Sequence, residues 1–121
     1  MRFHALIRTH HITSRKKVAL LRKAAAKYDC FALLRSGGCP GIMYCSGSEG
    51  GVRGWVDAVH RLRYKDYQLA QKPAPVPVSI AEGTVLEERS GLFEVPSVRE
   101  FAAAMEKRGV ADWWKEGMAF A

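Results

Sequence analysis

From Phe3 to Thr9 apolar and polar positions follow the period of a strand, with Phe3, Ala5 and Ile7 on one side of an extended chain and His4, Leu6 and Arg8 on the other. After His10-His11-Ile12-Thr13 the period lengthens. Val18, Leu21, Ala25 and Tyr28 recur at three- and four-residue steps, and Ser14 stands where a helix cap is needed, so a helix follows. Its remaining surface carries Arg15, Lys16, Arg22, Lys23 and Lys27, with no acidic residue before Asp29. Cys30 to Arg35 is short, apolar and bounded by turn formers, which predicts a mostly buried strand. Ser36 to Gly41 is a turn, and Ile42 to Ser46 resumes extended structure as the antiparallel partner. Gly47 to Gly51 breaks the pattern, and Val52, Trp55, Val56, Val59 and Leu62 then form the apolar stripe of a second helix, weakened but not ended by Gly54.

Tyr67 to Ala70 supplies a short fourth strand, and Lys72 to Val78, where proline alternates with small residues, reads as an extended linker or edge segment. Glu82 to Glu88 is acidic and turn-like, and Leu92 to Val95 is a short strand. Pro96-Ser97 opens a helix with Val98, Phe101, Ala102 and Met105 inward, stopped by Gly109, and a last helix from Val110 to Gly117 holds Trp113 and Trp114. Strand, helix, strand, strand, helix, strand is the split βαβ order, so the expected fold is α+β, a ferredoxin-like βαββαβ sandwich with a C-terminal helical extension. The core then spans residues 1–72, and residues 73–121 are a proline-containing linker with helices packed on that core, being too few for a core of their own.

Composition narrows the class. With 48% hydrophobic and 26% charged residues in 121, the chain is globular and fits one domain. The longest apolar run falls short of a membrane span and the first residues are not a signal peptide, which favours an intracellular protein, nuclear or cytoplasmic, without a membrane partner. Cys30, Cys39 and Cys45 match no metal or redox spacing; Cys30 and Cys45 read as core and Cys39 as a loop thiol. The net charge of +7 divides into +10 over residues 1–72 and −3 over residues 73–121. A basic larger part points to a polyanion, with nucleic acid ahead of anionic lipid.

Candidate chemistry is mostly cationic. Arg15-Lys16-Lys17 sits at a helix start, where cations oppose the helix dipole and a bound phosphate would reverse the penalty. His10 and His11 are adjacent on an extended chain and point apart, which disfavours joint metal ligation. The glycine-rich turn Gly37 to Gly41 joins strands and lacks the GxxxxGK[ST] arrangement, so it is structural. No nucleophile elbow or triad spacing is present. One ferredoxin-like enzyme class, the acylphosphatases, uses a loop arginine with an asparagine, and this chain contains no asparagine. The third strand lacks the aromatic pattern of RNA-recognition motifs, leaving Tyr44 as its single candidate stacking residue, with a place in the core as the equal alternative.

As a set, His10-His11-Ile12-Thr13-Ser14 with Lys16-Lys17, then Cys39-Pro40-Gly41, then Phe93-Glu94-Val95 through Met105, Arg108-Gly109, Trp113-Trp114 and Gly117-Met118, resembles the C-terminal domain that follows RWD domains in a eukaryotic family. A related domain closes the spliceosomal U4/U6 pre-mRNA-processing factor. The resemblance implies a ferredoxin-like fold and, through that relative, RNA binding. It departs at Cys39, where the family often has lysine, and no RWD domain precedes Met1, as in a standalone or excised version. The expectation is therefore a non-enzymatic module for single-stranded RNA or a strand–duplex junction. It would use no cofactor, metal or small-molecule substrate. Arg8, Arg15, Lys16, Lys17 and Arg35 would contact phosphate, with His10, His11 and Tyr44 at bases or sugars. The alternative is a protein-interaction module using the tryptophan-bearing tail or an open sheet edge.

Overall fold

The computed structural model describes residues 1–77 and 89–119; the turn expected over Glu82 to Glu88 lies outside the described residues. Strand β1 (Phe3–Thr9) leads through helix α1 (Arg15–Lys27) to β2 (Phe31–Arg35) and β3 (Gly41–Gly47), then to helix α2 (Glu49–Arg61) and β4 (Gln68–Pro75). The tail adds β5 (Gly91–Val95), α3 (Val98–Lys107) and α4 (Ala111–Met118). The sheet order is β4-β1-β3-β2-β5. β1 runs antiparallel to β3 and β4, and β2 antiparallel to β3. With α1 and α2 on one face, the first four strands make the ferredoxin-like α+β fold. β5 extends that sheet by pairing parallel with β2.

Two segments differ from their expected form, each for a local reason. The proline-alternating stretch belongs to β4 as far as Pro75, because β4 is an edge strand bonded to β1 on one side and its other side asks nothing of the missing proline N–H groups. α2 starts earlier than its apolar stripe: the Ser48 hydroxyl accepts from the Gly51 amide at 3.0 Å and draws the glycine-rich segment into the first turn. Gly51 is required there, since a Cβ at that position would lie 2.5 Å from the Tyr28 carbonyl oxygen.

Apolar residues gather on both faces of the sheet. Ala5, Ile7, Leu34, Met43 and Cys45 pack beneath Val18, Leu21 and Ala25 of α1 and Val52, Trp55 and Val59 of α2. On the reverse face Leu6, Leu33, Ile42 and Tyr44 meet Phe101 and Met105 of α3 and Trp114 and Met118 of α4. The tail thus covers the sheet face that a bare split-βαβ unit leaves open. Each of the three tail and core helices α1, α2 and α3 is capped by a serine hydroxyl, from Ser14, Ser48 and Ser97.

Candidate nucleic-acid interface

The strand register brings most of the basic candidates to one end of the molecule. Thr9 pairs with Gly41 and Arg35 with Ile42, while Arg8 pairs with Gln68, so the ends of β1 and β2 and the starts of β3 and β4 coincide. The loop from β1 to α1 is tied down there by backbone bonds: the His10 amide donates to the Lys65 carbonyl, Gly41 donates to the His10 carbonyl, and Gly37 donates to the Ile12 carbonyl. Arg8, His10, His11, Arg15, Lys16, Lys17 and Arg35 accordingly lie around one rigid rim.

Their environments separate them. Arg15 donates to both carboxylate oxygens of Glu94 on β5, at 2.7 and 2.8 Å, a two-pronged pairing. That bond, with Ser36 and Arg22 nearby, holds the Glu94 carboxyl down at about 2. Glu94 thereby supplies to the first turn of α1 the negative charge its own sequence lacks. Arg35 donates to the carbonyls of Pro96 and Pro40, at 3.2 and 3.1 Å, and fastens the glycine-rich turn to the start of α3. Arg8 donates to the Met118 carbonyl at 3.2 Å and to the Gln68 side chain, fastening the end of α4. These three arginines brace the fold. His10 faces Asp66 at 3.5 Å, and its ring lies 4.8 Å from that of His11, so the two do not point apart as expected, because this segment is a bend and not a strand; Lys17 sits 4.8 Å over the Tyr64 ring. Lys16 and His11 are exposed.

A cleft of about 550 Å³ opens at this end, lined among others by Arg8, His10, Cys39, Pro40, Asp66 and Gln68. Cys39 is an exposed thiol in that lining. Cys30 and Cys45 are buried, and burial raises both thiols, Cys30 to about 11 with a further push from Asp29. Neither is poised as a nucleophile. Among the described residues no group of three or more His, Cys, Asp or Glu could hold a metal ion. No helix among them is long and apolar enough to cross a membrane.

Tyr44 does not meet its expectation as a base-stacking residue. It is 1% exposed, in the middle strand of the sheet and under the tail, so no base can reach it. Its hydroxyl shares a 3.1 Å hydrogen bond with His4, and its ring lies edge-on to Trp113. Trp113 stacks on His4 with centroids 3.7 Å apart and planes within 10°. The Arg108 guanidinium lies 3.8 Å over Phe31 and 5.5 Å from the Tyr44 ring. Burial, assisted by the charge on Arg108, lowers His4 from 6.5 to about 4, and burial raises Tyr44 to about 12. His4 is neutral at physiological pH.

Residues outside the initial selection complete the basic surface. α1 carries Arg15, Lys16, Lys17, Arg22, Lys23 and Lys27 without one acid in its thirteen residues. Lys16, Lys23 and Lys27 are exposed and recur at seven and four residues, a stripe within about 40° of one line on the helix. α2 is the contrast: Arg53 pairs with Glu49 and Arg61 with Asp57, each one turn apart. The helical period carried the signal for Lys23 and Lys27. The sequence singled out Arg108 only within the Arg108-Gly109 motif, and its position over Phe31 depends on the tail folding back.

No family model matches the chain, and no curated protein matches it closely enough to count as a relative. Among solved structures it is similar to a crystal structure of acylphosphatase from Bacillus subtilis, with 16% sequence identity and a TM-score of 0.50 over 78% of this chain and 99% of that one. At that identity the likeness is one of fold, and it identifies the split-βαβ core as ferredoxin-like.

Proposed function

We propose that this chain is a non-enzymatic RNA-binding module that holds the phosphate backbone of a single strand, or of a junction between strand and duplex, on the exposed face of α1 and the adjoining rim. The observation that carries the reading is the Lys16, Lys23 and Lys27 stripe: a helix face of one charge sign with no acid on the helix to neutralise it. Cations in this arrangement gain by exchanging bound counterions for phosphate, and the gain shrinks as salt rises. His11 and Lys17 extend the surface towards the loop. Arg8, Arg15 and Arg35 act indirectly, by holding the rim in shape. The resemblance of the His10 to Lys17 segment to the RWD-linked domain supports the same reading through its RNA-binding spliceosomal relative.

For the protein-interaction alternative, Trp114 is core, which narrows the tryptophan surface to the half-buried Trp113, itself stacked on His4. Fluorescence anisotropy with a short labelled RNA at low salt tests the main reading. The double substitution Lys16→Glu with Lys23→Glu should weaken binding at least tenfold and flatten its salt dependence, with circular dichroism unchanged. Absence of binding by the wild-type chain at micromolar concentration would refute the proposal.

A further inference from the structure

Strand alternation gives β5 two unlike faces. Glu94 points to α1 and its arginines, and Phe93 points to the tail side. Phe93 is 38% exposed on this outermost strand, and its ring stacks on Phe31 of β2 with centroids 5.6 Å apart and planes 26° apart. Two guanidinium groups attend the pair: Arg89 lies 5.6 Å from the Phe93 centroid and Arg108 lies 3.8 Å over Phe31. Behind Phe31 the Tyr44, His4 and Trp113 rings fill the interior and fix it in place.

We propose that Phe93, seated on Phe31 and flanked by Arg89, forms a stacking platform for the unpaired bases of an RNA strand whose phosphates lie on α1. The inference rests on the RNA-binding reading and deepens it by saying which form of RNA is preferred. A solvent-facing phenylalanine, backed by a second ring and flanked by a planar cation, suits a flat, electron-rich ring flanked by negative charge, which is a nucleotide. Arg108 already covers one face of Phe31, so Phe31 supports Phe93 from below and the ring of Phe93 is the one open to a base. β5 is the outermost strand on this side, so a strand of RNA crossing its edge passes from the Arg22 and Lys23 side of the sheet to the Phe93 side. Bases already paired in a duplex have no free face to offer, so the platform selects single strands.

The test compares three probes: a twelve-nucleotide oligoadenylate RNA, a duplex RNA of equal length, and inorganic polyphosphate as a polyanion without bases. The wild-type chain should prefer the single strand to the duplex. Phe93→Ala and Phe93→Leu should each weaken oligoadenylate binding about tenfold while leaving polyphosphate binding unchanged, and Phe93→Trp should restore it. Wild-type affinity for oligoadenylate in the leucine variant would overturn the platform alone, because phosphate binding would persist. An equal loss for polyphosphate and oligoadenylate would also overturn it, by showing a general effect on the fold. Failure of the wild-type chain to bind any of the three would overturn the RNA reading itself.

Discussion

Mild acid should destabilise this protein through a single buried histidine. His4 is 2% exposed, faces Tyr44 and Trp113, and has the Arg108 cation in its surroundings; its proton affinity falls from 6.5 to about 4 on folding. The unfolded chain therefore binds the His4 proton below pH 6.5, and the folded chain resists it until about pH 4. Between those values the unfolded state holds more protons, so stability falls as the pH falls. A shift of that size corresponds to about 3 kcal/mol in full, of which about 2 kcal/mol is lost between pH 7.5 and pH 5. Urea unfolding at the two pH values measures the loss directly. His4→Phe keeps a flat ring against Trp113 and cannot titrate. It lowers stability at neutral pH by the lost Tyr44 bond, about 1 kcal/mol, and removes most of the pH slope. Equal slopes in the variant and the wild-type chain would refute the assignment of the slope to His4.

Two neighbouring glycines should respond in opposite directions to alanine. Gly51→Ala places a methyl against the Tyr28 carbonyl and costs roughly 1–3 kcal/mol, whereas Gly50→Ala meets nothing within 4 Å and gains up to about 1 kcal/mol from helix propensity, both read from thermal melts. Glu94 is held down at about 2 chiefly by Arg15, so its contribution to stability is present above pH 4.5 and is lost as pH falls towards 2. Arg15→Ala should raise the Glu94 carboxyl towards its ordinary value in an NMR titration, with Arg22 retaining part of the effect; an unmoved titration would count against the pairing.

The helices were legible because their signals are local. Val18, Leu21 and Ala25 in α1, and Val52, Trp55, Val56 and Val59 in α2, are the buried positions their spacing implies. The order of elements then led to the ferredoxin-like core. What escaped was non-local. Whether the second sheet face is covered depends on a tail that returns from beyond residue 88, and no short window contains that information. One clue was present in the strands themselves: Ala5-Leu6-Ile7, Ala32-Leu33-Leu34 and Ile42 to Cys45 are unbroken apolar runs, the pattern of strands buried on both sides. A sheet with one wet face would alternate, and Tyr44, in the middle of such a run, was thereby destined for the interior.

The candidate site divides along the same line. The cationic face of α1 follows from helical period alone, since Lys16, Lys23 and Lys27 fall on one stripe whatever the rest of the chain does. The roles of Arg8, Arg15 and Arg35 do not, because their partners are the Met118, Pro40 and Pro96 carbonyls and the Glu94 carboxylate, groups that only the folded tail and turn bring near. Counting cations by sequence therefore overstates the charge available to an anion at the rim. The acidic character of the tail acts in the same sense: Glu94 neutralises the flank of α1 next to β5, through Arg15 and Arg22, and leaves the outward stripe of Lys16, Lys23 and Lys27 basic. The division of +10 and −3 between the two parts is thus expressed as a sidedness of one helix.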